Sequence, residues 1–501
     1  MTLTRLINPM SRRVSQRLSL LVILSGVCGV PPSAAWGLVA DRGKSDDFLT
    51  RQLQEMAERI ESLEEANRSL RVEVTELRSE TDSGWLTEQR ASEIRALVQD
   101  VLADVDSRAS LQSSGMTAGW DNGFFLSSPD GRFRLQIDGL MQVRFIMNRR
   151  EDAGPGDPND QWIYGFENAR TRLTFRGHIF GPDLTYLVRG AFSRQGGGVA
   201  ATLSEPAGGN FQLLDAWIRS HLIEGWSIRA GQFKLPFNRE ELVSPANQLT
   251  IERSNVNESL NLGRSQGVEL EYRGDFLGWA TAFSDGGFDS LLGVGVLAGT
   301  FPTNTSWGTE DTEYAFTSRV EWLVAGTWAQ FSQFTSPPGD PFGFMLGIAG
   351  HYQTQEYGSV QQEEAKWLNL TIDASVAFGG ANLFASWTHS YNDTATFGIF
   401  NTFGGVIQGG FYVAPKWELF ARYEYGHIES NNEVVTPTDL SVITTGVNWY
   451  IDGQDAKFTV DIGFSLEDIP SLWASDLAGW RADGVDTRPQ FVFRTQFQLQ
   501  F

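Results

Sequence analysis

Apolar and polar residues alternate with a period of two along most of the chain after residue 120. In the clearest stretch, from 132 to 145, one face carries Phe133, Leu135, Ile137, Met141, Val143 and Phe145. The other face carries Arg132, Arg134, Gln136, Asp138, Gln142 and Arg144. Because successive side chains of a strand point to opposite faces, this pattern predicts a strand with one apolar and one polar side. Many such strands in series are typical of a transmembrane barrel with apolar residues facing lipid and a water-filled lumen.

Two further stretches repeat the pattern. The strand near 170–179 places Leu173, Phe175 and Ile179 outward and Arg170, Arg172, Thr174, Arg176 and His178 inward. The final stretch alternates Phe491, Phe493, Phe497, Leu499 and Phe501 with Arg494, Gln496, Gln498 and Gln500. A last strand that ends in phenylalanine resembles the signal by which bacterial outer-membrane barrels are recognised for assembly.

Turn residues between the strands predict their number and orientation. Short turns at 181–183, 223–225, 274–277 and 324–326 alternate with long connections at 146–167, 195–210, 235–265 and 285–311. Outer-membrane barrels have short periplasmic turns and longer extracellular loops. We therefore predict an all-β fold, a transmembrane antiparallel barrel of 16 strands (18 is the alternative) over residues 120–501.

Ahead of the barrel the apolar period changes to that of a helix. Leu49, Met56, Leu63, Leu70 and Leu77 occupy one heptad position, and Leu53, Ile60, Asn67 and Val74 occupy another. This repeat predicts a helical coiled coil within 46–106, followed by a linker at 107–119, although a single amphipathic helix would show a similar stripe. The heptad residues favour a dimer, whereas barrels of this kind favour a trimer.

The first 35 residues have the features of a secretory signal peptide. Four arginines precede the apolar stretch from Leu18 to Val30, and the small residues Ser33 and Ala34 follow it. The single cysteine, Cys28, lies inside this stretch, so the mature chain would contain no thiol for disulfides, metal ligation or catalysis. These features predict secretion and a barrel in a Gram-negative outer membrane, with the coiled coil in the periplasm.

One motif resembles a known family. The segment 231–242, GQFKLPFNREEL, followed by Glu252-Arg253-Ser254, is similar to the phosphate-selective porin family, the O and P porins. Asp215-Ala216-Trp217 and Gln266-Gly267-Val268 extend the likeness on either side. The resemblance implies a homotrimer of 16-stranded barrels that pass anions, with a loop folded inward to narrow the pore.

Residues 235–265 are the candidate constriction loop, because they follow the fifth barrel strand. The candidate residues there are Lys234, Arg239, Glu240, Glu241, Glu252, Arg253, Glu258 and Arg264. These charges have two interpretations that can coexist. They line the narrow part of the pore, or they pair with one another and fasten the loop to the wall.

The total charge and the distribution of basic residues indicate opposite ion preferences. Residues 120–501 hold 25 basic and 44 acidic residues, which disfavours anions, and only four of the basic residues are lysines. Seventeen of the 25 basic residues, however, lie between 120 and 280. The candidate pore-lining and anion-contacting residues are Arg132, Arg134, Arg144, Arg170, Arg172, Arg176, Arg189, Arg219 and Arg229. Rows of guanidinium groups would bind phosphate-like anions, so strong phosphate selectivity, mild anion preference and a weakly selective pore remain open.

The resulting function is a porin for small hydrophilic solutes, including anions such as phosphate, in contact with outer-membrane lipid. The alternative is a structural anchor that reaches the cell wall through its coiled coil. An enzyme is not expected, because the five histidines are scattered singly and form no recognisable catalytic motif. The acidic balance gives no support for nucleic-acid binding, and we expect neither a cofactor nor a metal site.

Overall fold

A computed structural model of the chain describes residues 62, 64–70, 115–150, 161–192, 211–287, 304, 312–355, 365–394, 398–430, 437–483 and 489–501. The chain divides into two compact units, 1–111 and 112–501. In the first unit, residues 62 and 64–70 are helical with exposed side chains. The expected signal peptide and the rest of the expected coiled coil lie outside the described residues. No helix among the described residues is long and apolar enough to cross a membrane.

The described residues of the second unit form eighteen antiparallel strands. They are β1 (Thr117–Trp120), β2 (Phe124–Ser127), β3 (Arg134–Arg149), β4 (Trp162–His178), β5 (Leu184–Ala191), β6 (Gln212–Ile223), β7 (Trp226–Lys234), β8 (Arg264–Arg273), β9 (Leu277–Ser284), β10 (Thr312–Ala325), β11 (Gly343–Gln355), β12 (Ala365–Ala377), β13 (Ala381–Thr394), β14 (Gly398–Ala414), β15 (Trp417–Ser430), β16 (Thr438–Asp452), β17 (Ala456–Ser465) and β18 (Phe491–Gln500). Helical segments are α1 (Arg239–Leu242), α2 (Asn255–Leu260) and the 3-10 turns Pro245–Asn247 and Gln330–Ser332.

Sixteen of these strands, β3 to β18, close into a barrel. Each pairs with the next along the chain, and β18 returns to β3 with Phe491 opposite Arg149 and Gln500 opposite Leu140. Closure leaves no open sheet edge, which a lipid environment requires because unpaired backbone groups there are costly. The prediction of a 16-stranded antiparallel barrel is therefore confirmed.

The remaining strands, β1 and β2, form a hairpin that extends one edge of β3. Phe124 to Ser127 pair with Ile137 to Arg134, beyond the point where β18 ends. The turn uses Asn122 and Gly123 at φ values of +49° and +143°, a left-handed backbone that asparagine and glycine tolerate best. Because β1 begins at Thr117, residues 117–119 of the expected linker are strand.

Alternation along β3 and β4 follows the expected faces with one interruption. Gln142 pairs with Arg170 but Val143 pairs with Asn168, so Ala169 forms a bulge. An extra residue inverts the alternation on its strand. Glu167 and Arg170 consequently lie on the same face, and both strands extend farther than the sequence pattern indicates, leaving a connection of only 150–161.

The connections distinguish the two ends of the barrel. At one end, which we call the short-turn end, the β6–β7, β8–β9, β14–β15 and β16–β17 connections contain two or three residues each. Here the expected turn at 324–326 is instead a longer connection, 326–342, containing the turn Gln330–Ser332. Its apolar residues Trp328, Phe331 and Phe334 lack a period of two and pack inward rather than continuing a strand.

Candidate functional site in the barrel lumen

The connection between β7 and β8, residues 235–263, lies inside the barrel. Gln142 of β3, Arg319 of β10 and Asn448 of β16 each donate a hydrogen bond to one of its backbone carbonyls, at 3.3, 2.9 and 2.8 Å. A segment bonded to strands on several sides of a closed barrel must cross the interior. We call residues 235–263 the inward loop.

Apolar packing and helix capping give the inward loop a fixed shape. One buried cluster joins Phe233, Leu235, Phe237, Leu262, Ala282 and Ala349, and a second joins Val243, Leu249, Phe334, Phe384 and Phe420. Full burial of each large apolar side chain stabilises by about 1.5–3 kcal/mol. Ser254 caps α2 by accepting a hydrogen bond from the Asn257 backbone at 2.9 Å. The inward loop is thus a well-packed, ordered part of the lumen.

Glu252 is the main ionic link between the inward loop and the wall. Its carboxylate receives Nη1 of Arg144 at 3.0 Å and Nη2 of Arg170, and all three side chains are almost fully buried. Burial alone would raise the pKa of Glu252, but the two guanidinium groups hold it well below its usual range. Arg144 also pairs with Glu167 at 2.7 Å, so its charge is shared between wall and loop.

The other predicted acids of the loop bond largely within it. Glu241 pairs with Lys234 at 2.9 Å and with Arg253 at 3.2 Å. Although burial opposes the shift, these cations keep the pKa of Glu241 at about 2. Glu240 accepts hydrogen bonds from the backbone and hydroxyl of Ser254 at 2.7 and 2.6 Å. These contacts join separate parts of the loop to one another.

Glu258 differs from its neighbours. Its carboxyl group makes no hydrogen bond or ion pair within the part of the chain that the structure describes. Burial and then the nearby charge of Glu252 raise its pKa to about 7, with Arg253 opposing. Glu258 therefore has an acid strength suited to titration near neutral pH.

Arg239 connects the inward loop to the connection 326–342. It donates to the Ser375 hydroxyl at 2.9 Å and to the Phe331 carbonyl, and its guanidinium lies over the Phe334 ring at 5.5 Å. The Phe334 backbone in turn donates to Asn247 at 3.1 Å. The tip of the inward loop and this connection thus meet in the lumen towards the short-turn end.

The structure places most of the predicted wall arginines beside carboxylates. Arg134 pairs with Asp121, Arg176 with Asp138, Arg189 with Asp215, Arg219 with Glu271 and Arg229 with Glu269, at 2.6, 2.7, 3.1, 2.9 and 2.7 Å. Asp215 also receives Arg264 at 3.0 Å. Arg132 precedes β3 and is exposed, so it lies outside the strand face assigned to it from the sequence. The sequence contains these partners but does not show which arginine takes which acid.

Arg172 is different from the other predicted wall arginines. Its side chain makes no hydrogen bond or ion pair with any of the described residues, and its Nε is buried without a partner. The positive charges of Arg170, Arg189, Arg253 and Arg264 all act on it. A guanidinium without a carboxylate, surrounded by other guanidinium groups, favours a mobile anion beside it.

Exposure locates the open side of the lumen. The side chains of Arg176, Arg189 and Arg219, on β4 to β6, are 47, 32 and 25% exposed. Those of Arg422 and Arg494, on β15 and β18, are fully buried beneath the inward segments. The most accessible part of the lumen therefore lies along the β4–β6 wall.

Some inward basic residues were not singled out from the sequence. Arg319, Arg422, Lys457 and Arg494 lie on inner faces and are buried. Arg494 pairs with Asp461 at 2.7 Å and Arg422 with Glu424 at 2.9 Å. These residues alternate with outward apolar residues, as in β15, and this alternation could have identified them as inward-facing.

A third inward segment, residues 466–483 after β17, covers the same half of the lumen. Arg144 and Arg494 donate to the carbonyls of Leu477 and Ala478, at 2.8 and 2.7 Å. Trp473 and Trp480 are fully buried in a cluster that includes Val256 of α2. This segment and the inward loop therefore pack together inside the barrel.

A cavity of about 390 Å³ opens below Arg172 towards the short-turn end. Arg172, Arg176 and Arg189 line one side, and Trp120 of β1 and Asp455 of the β16–β17 turn also line it. No cluster of His, Cys, Asp or Glu among the described residues has the arrangement of a metal site. The lumen therefore offers charge and hydrogen bonding to a passing solute.

Comparison with known proteins gives several likenesses. A protein of Aquifex aeolicus (strain VF5), itself described as uncharacterized, is 23% identical over 261 residues, which is 48% of this chain and 60% of that relative's length. The anion-selective porin from Comamonas acidovorans has 14% identity and a TM-score of 0.47, over 73% of this chain and 99% of that one. Salmonella typhi OmpF, solved in complex with daunomycin, has 11% identity and a TM-score of 0.48, over 77% of this chain and 100% of that one.

A sequence model of one family also matches. The family is described as "Phosphate-selective porin O and P", and the match covers residues 157–325. This range contains β4 to β10 and the whole inward loop. Over residues 157–325 the chain is therefore similar to the phosphate-selective porin O and P family.

Proposed function

We propose that the protein is an outer-membrane channel for small solutes, that it prefers small anions, and that it binds phosphate weakly during passage. The observation that carries the proposal is Arg172, a guanidinium on the open wall without a carboxylate partner among the described residues. Its role as an anion contact follows from its chemistry, because a guanidinium presents a planar fork of donors that matches phosphate and carboxylate oxygens.

The local charge balance supports the same preference. Around the passage, Arg144, Arg170, Arg189, Arg253, Arg264 and Lys234 share the four carboxylates of Glu167, Glu252, Asp215 and Glu241. Arg172 adds a further positive charge. A fixed excess of positive charge in a narrow, low-dielectric passage raises the local concentration of anions. The acidic total of the chain matters less, because distant charges are screened within about 8–10 Å in physiological salt.

The pairing also limits how strongly phosphate is held. Most of the wall guanidinium groups already donate to carboxylates, so few donors are free to surround one phosphate. We therefore favour mild anion preference with weak phosphate binding over strong phosphate selectivity. The charges of the inward loop act mainly to fasten it, and Arg172 acts on the solute.

We also propose an orientation of the barrel in the membrane and an oligomeric state. The short-turn end would face the periplasm and the long loops the outside, as is usual for such barrels. The helical region within 46–106 would then extend into the periplasm, where it could contact the cell wall. Assembly as a homotrimer is proposed from the family resemblance.

Planar-bilayer recording of the purified full chain tests this function. Under a KCl gradient we expect a reversal potential with the sign of chloride preference. Addition of inorganic phosphate should reduce the chloride current in a saturable manner. Cation preference, or chloride current unaffected by phosphate at concentrations that saturate a weak site, would contradict the proposal.

A further inference from the structure

We propose that the cavity below Arg172 binds a sugar-like organic anion, with its phosphate or carboxylate on Arg172 and its hydroxyl groups on Asp455. This inference rests on the proposed anion preference and adds the class of solute. The cavity volume of about 390 Å³ lies within the range of small-molecule sites, which is roughly 300–1,000 Å³.

The anionic end of the solute is specified by three arginines. Arg172 is free to donate, whereas Arg176 and Arg189 are held by Asp138 and Asp215 at 2.7 and 3.1 Å. Pairing leaves the two held guanidinium groups in place as fixed positive charges and directs the free donors of Arg172 to an incoming oxygen. One phosphate or carboxylate group satisfies this side of the cavity.

The opposite side requires hydrogen-bond donors. Asp455 lies in the turn between β16 and β17, and its carboxylate has no hydrogen bond or ion pair within the described ranges. It lines the same cavity as Arg172. A free carboxylate repels inorganic phosphate, so it adds nothing to the binding of that ion. It does accept hydrogen bonds from hydroxyl groups on the same solute.

An ammonium group would satisfy Asp455 as well, but its charge is unfavourable here. Three guanidinium groups and two carboxylates, Asp138 and Asp455, line the cavity, and the remaining positive charge repels a cation. A hydroxyl group donates to Asp455 without meeting that repulsion. The lining therefore favours a polyhydroxylated anion over an amino acid.

Channel block by three probes tests the inference with the full chain in planar bilayers. The probes are inorganic phosphate, glucose 6-phosphate and glucose, added from the short-turn side. We expect glucose 6-phosphate to block at about threefold to tenfold lower concentration than phosphate, the gain from one or two hydrogen bonds. Glucose alone should block much more weakly than either anion.

Two variants and a control assign the contacts. Asp455→Asn should remove the advantage of glucose 6-phosphate and leave phosphate block unchanged, and Arg172→Gln should weaken block by both anions. Glu224→Gln, in the β6–β7 turn at the same end of the barrel and outside the cavity lining, should change none of these values.

The outcomes separate this inference from the proposed function. Equal block by phosphate and glucose 6-phosphate in a channel that still prefers chloride would overturn the sugar site alone. Block by glutamate as strong as that by glucose 6-phosphate would show that Asp455 serves an ammonium group and would also overturn it. Loss of chloride preference in the unaltered channel would remove the proposed function and this inference together.

Discussion

Arg170 and Arg172 lie two residues apart on the inner face of β4, yet only Arg170 is paired with a carboxylate. Arg170 donates to Glu252 of the inward loop, 82 residues along the chain. No acidic side chain among the described residues reaches Arg172. The inward loop thus neutralises the charge of Arg170 and leaves the guanidinium of Arg172 available to solutes.

Replacement of Arg172 tests whether this free guanidinium sets the ion preference. Arg172→Gln should lower the ratio of chloride to potassium permeability about twofold, the effect of removing one unit charge roughly 8 Å from a passing ion in water. Reversal potentials measured in planar bilayers give the ratio. Arg176→Gln is the matched control, because Arg176 lies on the same face of β4 but pairs with Asp138 at 2.7 Å.

An equal loss in both variants would indicate that the whole row acts together. No change in Arg172→Gln would show that this guanidinium lies away from the ion path.

Glu252 should be critical for holding the inward loop. Glu252→Gln leaves the buried charges of Arg144 and Arg170 incompletely compensated, and breaking a buried pair of this kind costs about 3–5 kcal/mol. We expect a corresponding fall in the free energy of unfolding in urea. Because two guanidinium groups lose a negative partner, channels that still fold should prefer chloride more strongly.

Glu167→Gln is the control for Glu252. Glu167 also pairs with Arg144, at 2.7 Å, but it is partly exposed and Arg144 keeps Glu252 as a partner. Its replacement should cost about 1 kcal/mol or less. Equal losses in the two variants would contradict the central role of Glu252.

The sequence predicts the barrel well because alternation and turns are local properties. The inner face of β3 follows directly from the pattern that includes Gln142 and Arg144, and β18 follows from its glutamines. The bulge at Ala169 is not visible in the pattern, since an alanine suits either face. For the same reason the sequence places Glu167 outside the strand, although it pairs with Arg144.

The ion pairs that cross the lumen cannot be predicted from local sequence patterns. The pairs formed by Glu252 depend on the path of the inward loop, and the pair between Arg189 and Asp215 depends on register between neighbouring strands. A count of nine arginines and several acids therefore could not identify Arg172 as the one left without a partner. Nor could it show that 326–342 packs inward, because its aromatic residues have no strand period.

The pH dependence of ion preference should report on Glu258. Its pKa is raised to about 7, so the carboxyl is neutral below pH 7 and negative above it. The groups that act on it are Glu252, Glu241, Arg253 and Arg170. Loss of one negative charge beside the passage should increase chloride preference as the pH falls from 8 to 6, by about twofold.

Linkage gives the sign of the accompanying change in stability. The folded chain binds a proton near pH 7 that the unfolded chain binds only near its ordinary pKa, so this group makes folding more favourable as the pH falls through 7. Glu258→Gln should show the stronger chloride preference at both pH values. A pH dependence that survives in Glu258→Gln would assign the titration to another group.

Two glycines on the inner wall leave space for the tryptophans of the segment 466–483. A Cβ atom on Gly426 would lie 2.6 Å from the Trp473 ring, and one on Gly463 would lie 2.6 Å from the Trp480 ring. Gly426→Ala or Gly463→Ala should therefore displace the indole and cost about 1–3 kcal/mol through overpacking. Because both rings lie within the lumen packing, their displacement should also enlarge the open channel and raise its single-channel conductance.

Gly405→Ala provides the comparison for these two variants. Its added Cβ would meet only the Ser386 carbonyl oxygen, at 3.9 Å, which is ordinary van der Waals contact. We expect unchanged conductance and unchanged unfolding in urea for this variant. If the conductance of Gly426→Ala and Gly463→Ala equals that of Gly405→Ala while their stability falls, the segment 466–483 supports the wall without narrowing the path.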